Sequence, residues 1–128
     1  MSITLILDTT AATSYMRQSI VVGELIGMIA DDGDTAVLPA VCLAEAASTA
    51  KGEEQLNLLH VLSVLPGILV TPLHPETAVD LGSHVPDIGS LGMAHAVSEA
   101  LIAEAQFATT DVSLARRVLP EGWDIVQL

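Results

Sequence analysis

Apolar residues fall along this chain in two alternating rhythms: short unbroken runs, and longer stretches at helical spacing. Ile3-Thr4-Leu5-Ile6-Leu7 is a run of the first kind and predicts a short buried strand. Thr10 to Gln18 reads as a short helix, and Ile20 to Ala30 as a second with Leu25, Ile26 and Ile29 on one face. Asp31-Asp32-Gly33-Asp34 makes a turn. Ala36-Val37-Leu38 is the next strand, and Pro39 suits the first turn of a helix running to about Ala50. After Gly52, Glu53 to Leu65 turns Leu56, Leu59 and Leu62 inward and stops at Pro66-Gly67. Ile68 to Thr71 is a third strand and Pro75 to Gly82 a short helix, followed by a polar loop from His84 to Ser90. A longer helix spans about Leu91 to Ala105, and Ala105 to Thr110 forms a fourth strand. A helix from about Ser113 to Leu119, the turn Pro120-Glu121-Gly122 and a strand from Trp123 to Val126 complete the chain. Strands alternating with helices predict an α/β fold with a parallel sheet covered on both faces.

Composition narrows the class. The 128 residues suffice for one core, and no linker, repeat or low-complexity block divides them, so a single domain over 1–128 is expected. Apolar residues make up 51% and aromatics only 2%, so that core is built from Ala, Val, Leu and Ile, and a disordered chain is excluded. No apolar stretch approaches the ~20 residues of a membrane span. The first apolar run is short and has no basic region before it, so a signal peptide is not expected. A single cysteine, Cys42, excludes an internal disulfide and fits the reducing cytoplasm. The net charge of −12, with only Arg17, Lys51, Arg116 and Arg117 as cations, speaks against a basic nucleic-acid footprint. It marks either a surface for a basic partner or a solubilising shell around a metal site.

Candidate chemistry lies in the acids that follow the buried runs. Asp8 ends the first strand and Asp111 the fourth, and a parallel sheet delivers both to the edge where open α/β folds bind ligands. Two carboxylates crowd each other at a cost unless a cation lies between them. Glu45 sits two turns into the helix after strand two, among small residues. Converging there, Asp8, Glu45 and Asp111 would hold Mg²⁺ or Mn²⁺, which take oxygen ligands, and such a metal could activate water for phosphodiester cleavage. Each acid has a plainer reading as well. Asp8 and Asp111 both precede helices and have the look of N-caps. The four histidines lack zinc-ligand spacing, Cys42 reads as a small packed thiol, and Trp123 as an anchor rather than a base-stacking platform.

The string Leu5-Ile6-Leu7-Asp8-Thr9-Thr10-Ala11 resembles the opening of a PIN domain. Pro39-Ala40-Val41-Cys42-Leu43-Ala44-Glu45 resembles that family's helix-borne Glu motif. Ala94-His95-Ala96-Val97 and Ala108-Thr109-Thr110-Asp111 resemble its later motifs. The resemblance spans nearly the whole chain. It implies a PIN-like three-layer α/β/α sandwich with a central parallel sheet, and a VapC-type endoribonuclease of the toxin–antitoxin kind. Asp8, Glu45 and Asp111 would be its catalytic metal ligands for Mg²⁺ or Mn²⁺. The implied partners are an RNA substrate, a small basic antitoxin and a second copy in a homodimer. Thr10 and Thr110 would orient ligands or water. The family's third Asp, however, falls here on Gly92 or Met93. Asp87 in the preceding loop and Glu99 further along the helix are the substitute acids. The alternative implied by this departure is a catalytically degenerate PIN-like protein serving as a binding or dimerisation module. A third reading is an unrelated doubly wound domain whose acids only cap helices.

Overall fold

The structure, a computed structural model, describes residues 2–128. Among them are five strands and seven helices in alternation. Strand β1 (Ile3–Leu7) leads into α1 (Thr9–Met16) and α2 (Ile20–Asp31), then β2 (Thr35–Pro39), α3 (Ala40–Ser48) and α4 (Glu53–Ser63). Next come β3 (Ile68–Thr71), α5 (Pro75–Ile88), α6 (Leu91–Ala103), β4 (Gln106–Thr109), α7 (Val112–Val118) and β5 (Ile125–Gln127). All strand pairings are parallel, and the sheet order is β3-β2-β1-β4-β5. Parallel pairing requires a crossover after every strand, so the sheet lies between helices in a three-layer α/β/α sandwich.

The chain winds outward from β1 through β2 to β3, then returns across β1 to place β4 and β5 on the other side. The winding therefore reverses between β1 and β4, and the carboxyl ends of these two strands flank the crevice where doubly wound sheets bind ligands. The central strands are sealed. Leu5, Ile6 and Leu7 are buried, as are Ala36, Val37, Leu38, Phe107 and Ala108. Each fully buried Leu or Ile contributes about 1.5–3 kcal/mol of transfer free energy. With so few aromatics, closeness does the packing. Ala11, Ala12, Ala46, Ala96, Ala100 and Ala115 are buried on helices and let helix backbones come near the sheet and each other.

The expected strands all form, with ends shifted by one or two residues; the last runs Ile125–Gln127 rather than Trp123 to Val126. One segment departs clearly. The expected short helix ending at Gly82 and polar loop from His84 to Ser90 are instead one helix, α5, reaching Ile88 with Pro86 inside it. Leu81, Val85 and Ile88 continue the i, i+4, i+7 spacing across the nominal breakers, these three are the buried or half-buried residues of the stretch, and α5 packs on α6. The residue four before Pro86 is Gly82, the smallest neighbour a proline ring can meet in a helix. Asp87 is therefore an exposed helix residue and not part of a loop. No described helix is long and apolar enough to cross a membrane.

Candidate functional site

The register that aligns Leu7 with Ala108 sets Asp8 beside Thr109, and the Asp8 N–H donates to the Ala108 carbonyl at 3.4 Å. Asp8 is also the N-cap of α1. Its Oδ1 accepts the Ala11 N–H at 3.0 Å and the Thr10 hydroxyl at 2.6 Å. With 3% exposure the carboxyl is nearly out of solvent, and burial pushes its pKa up. The hydrogen bonds from Thr10, Thr109 and Ala11 oppose that rise without cancelling it.

Asp111 lies across the crevice as the N-cap of α7, its Oδ1 accepting the Leu114 N–H at 3.1 Å. It is exposed where Asp8 is buried. A hydroxyl chain ties the two caps together. The Thr109 hydroxyl accepts the Asp111 N–H at 3.0 Å and stands 3.3 Å from the Thr10 hydroxyl, which accepts the Thr110 N–H at 2.8 Å. Asp8, Thr9, Thr10, Ser90, Met93 and Asp111 line one pocket of about 80 Å³. That is far below the ~300–1,000 Å³ of sites for drug-sized ligands, and ample for a cation with water.

Glu45 does not line this pocket with them. Its Oε1 accepts the Thr9 hydroxyl at 2.7 Å and its Oε2 the Gly92 N–H at 3.1 Å, so both oxygens serve α1 and α6. One turn earlier on α3, buried Cys42 donates its Sγ–H to the Gly92 carbonyl at 3.1 Å, and burial pushes that thiol up to about 12. Glu99 lies 3.4 Å from His95 Nε2. His95 itself is buried, with no hydrogen-bond partner for Nδ1 among the described residues, and desolvation lowers its pKa against the opposing pull of Glu99.

Among the described residues, no three His, Cys, Asp or Glu side chains stand together closely enough to hold a metal ion. The donor set fits a hard cation only in the sparser form in which one or two carboxylates bind it and water or phosphate oxygens complete the shell. Asp8 and Asp111 each accept their cap bonds through one oxygen, Oδ1. Thr110, expected to orient ligands, contributes its N–H to the network; the hydroxyls inside it belong to Thr10 and Thr109. Sequence reading missed Thr109 and Thr9. Strand pairing identifies Thr109, since the residue opposite Asp8 on the neighbouring strand shares its side of the sheet. No local signal points to Thr9, whose partner is 36 residues away.

No family model matches the chain, and no curated protein matches it either.

Proposed function

We propose that this chain is a PIN-like domain of the VapC type, a divalent-metal-dependent endoribonuclease whose metal-binding carboxylates are Asp8 and Asp111. One observation carries the reading: these two acids line a single small pocket at the carboxyl edge of the sheet, at the reversal of its winding. A bound Mg²⁺ or Mn²⁺ would supply Lewis acidity and an activated water for phosphodiester hydrolysis. The chain's own part is positional. Thr10 and Ala11 fix the Asp8 carboxylate through Oδ1, Thr109 fixes the backbone of Asp111, and Leu114 fixes its side chain. Glu45 supports the site from outside by holding α6, which contributes Met93 to the pocket wall. The partners in this reading are an RNA, a small basic antitoxin drawn by the acidic surface, and a second copy of the chain, in the cytoplasm.

The test pairs metal binding with cleavage. In calorimetry with Mn²⁺, wild type is expected to bind and Asp8→Asn to lose at least about tenfold in affinity, as when one charged ligand of a small set is removed. RNA incubated with Mn²⁺ is expected to be cut by wild type and spared by Asp8→Asn. Equal cleavage by both proteins would sink the nuclease reading.

A second reading, the catalytically degenerate binding module, is favoured by the surroundings of Gly92. A Cβ there would run into the Glu45 carboxylate and come within 2.6 Å of Thr9 Oγ1. Among the described residues, no Lys or Arg lines the pocket to meet a phosphate. Undetectable Mn²⁺ binding by the wild type would select this reading.

A further inference from the structure

Helix α6 starts under an unusual degree of outside control. Like any helix it opens with N–H groups that have no partner of their own. Ser90, the N-cap, accepts the Met93 N–H at 3.1 Å. The Gly92 N–H goes to Glu45, 47 residues away on α3, and the Gly92 carbonyl accepts the Cys42 thiol from the same helix. Cys42 and Glu45 are three residues apart, hence on one face of α3, and together they grip both polar groups of residue 92. The second Glu45 oxygen takes the Thr9 hydroxyl of α1, so one carboxylate joins three helices.

We infer that Glu45 caps α6 from another helix, and that its carboxylate is the reason residue 92 is glycine. The space a β-carbon would occupy at position 92 is already filled by the Glu45 carboxylate and the Thr9 hydroxyl. A negative group at this place also suits the positive end of the α6 dipole, so the charge at the helix start comes from α3 instead of from residue 92. A β-carbon here would push the Glu45 carboxylate off its bonds to Gly92 and Thr9, so glycine is what that pair of bonds requires. The inference holds whether or not the adjoining pocket takes a cation.

The experiment is a mutant cycle in urea with Gly92→Ala and Glu45→Ala, singly and together. In wild type, Gly92→Ala is expected to shift the unfolding equilibrium toward the unfolded state by about tenfold, the scale of coupling between touching residues. In the Glu45→Ala background the same change is expected to cost clearly less, because only the Thr9 hydroxyl still stands in the space and alanine otherwise outranks glycine in a helix. An equal penalty in both backgrounds would overturn the inference. Should the Glu45→Ala protein not fold, Glu45→Gln gives the second measurement by amide hydrogen exchange. Gln keeps an oxygen for the Gly92 N–H and is expected to leave that amide nearly as protected as in wild type. Exchange of Gly92 at the rate of an open helix end in wild type would equally defeat the proposal.

Discussion

Asp8 is a carboxyl whose surroundings suit its neutral form better than its charged one. Burial raises its pKa above the ordinary 3.8, so the folded state holds the proton more tightly than the unfolded chain does. The stability this contributes is complete below the ordinary carboxylate range and is lost as pH rises through the raised value. Asp8→Asn keeps an acceptor for the Ala11 N–H and never carries the charge. Without divalent cation, the variant is therefore expected to be more stable than wild type at pH 7, with the difference closing as the pH falls. Urea midpoints across a pH series measure this. A variant weaker than wild type at pH 7 would mean that the hydrogen bonds from Thr10 and Ala11 to the ionised form outweigh its desolvation. The residue scale is also where sequence reading divides most clearly. Asp8 and Asp111 were legible because they end buried runs and begin helices, and the structure shows both as caps. The destination of Glu45 was not, because nothing near it in sequence names Thr9 or Gly92 as its partners.

Elements were legible where one rhythm ruled and illegible where two competed. The strands announce themselves as short, mostly apolar runs of three to six residues between turn residues. Helix α5 hides behind Gly82 and Pro86, and only its packing against α6 decides for helix. Helix ends carry their own strain. Glu104, the C-cap of α6, adopts a left-handed backbone with φ 53, exposed and without glycine's freedom. Glu104→Gly is expected to stabilise the protein by about 1 kcal/mol, relief of the left-handed strain outweighing the extra freedom it gives the unfolded chain. Glu104→Ala, which keeps the β-carbon, is expected to leave stability nearly unchanged. Thermal melts of the two variants beside wild type compare them directly, and a stabilised alanine variant would show that side-chain charge, not backbone, is the issue.

For the whole molecule, charge imbalance is the dominant long-range feature. A net charge of −12 repels itself, and the ion-pair contacts among the described residues are His84–Asp80 and His95–Glu99, neither involving Lys or Arg. Raising salt from about 20 mM to about 300 mM shortens the screening length from roughly 20 Å to roughly 6 Å. The melting temperature is expected to rise over that range, in sodium chloride and in potassium chloride alike. A fall would mean that favourable surface pairs outweigh the repulsion. The α/β class and the parallel sheet were legible at this scale because alternation of elements leaves few topologies open. The order of strands was not, since no local pattern says that the fourth strand returns to the first.

That return gives the crevice a mechanical meaning. Thr10 and Thr110 meet by hydrogen bond across 100 residues of chain, so the walls of the pocket that carry Asp8 and Asp111 are the two ends of one very long loop. Closing a loop of that length costs entropy that grows only slowly with further length, and here the cost is met largely by the pairing of β1 with β4. Whatever spans Asp8 and Asp111 acts as a removable staple across that loop. It holds two distant parts of the chain together much as a covalent cross-link would, and adds stability in proportion to the logarithm of its concentration once that exceeds its dissociation constant.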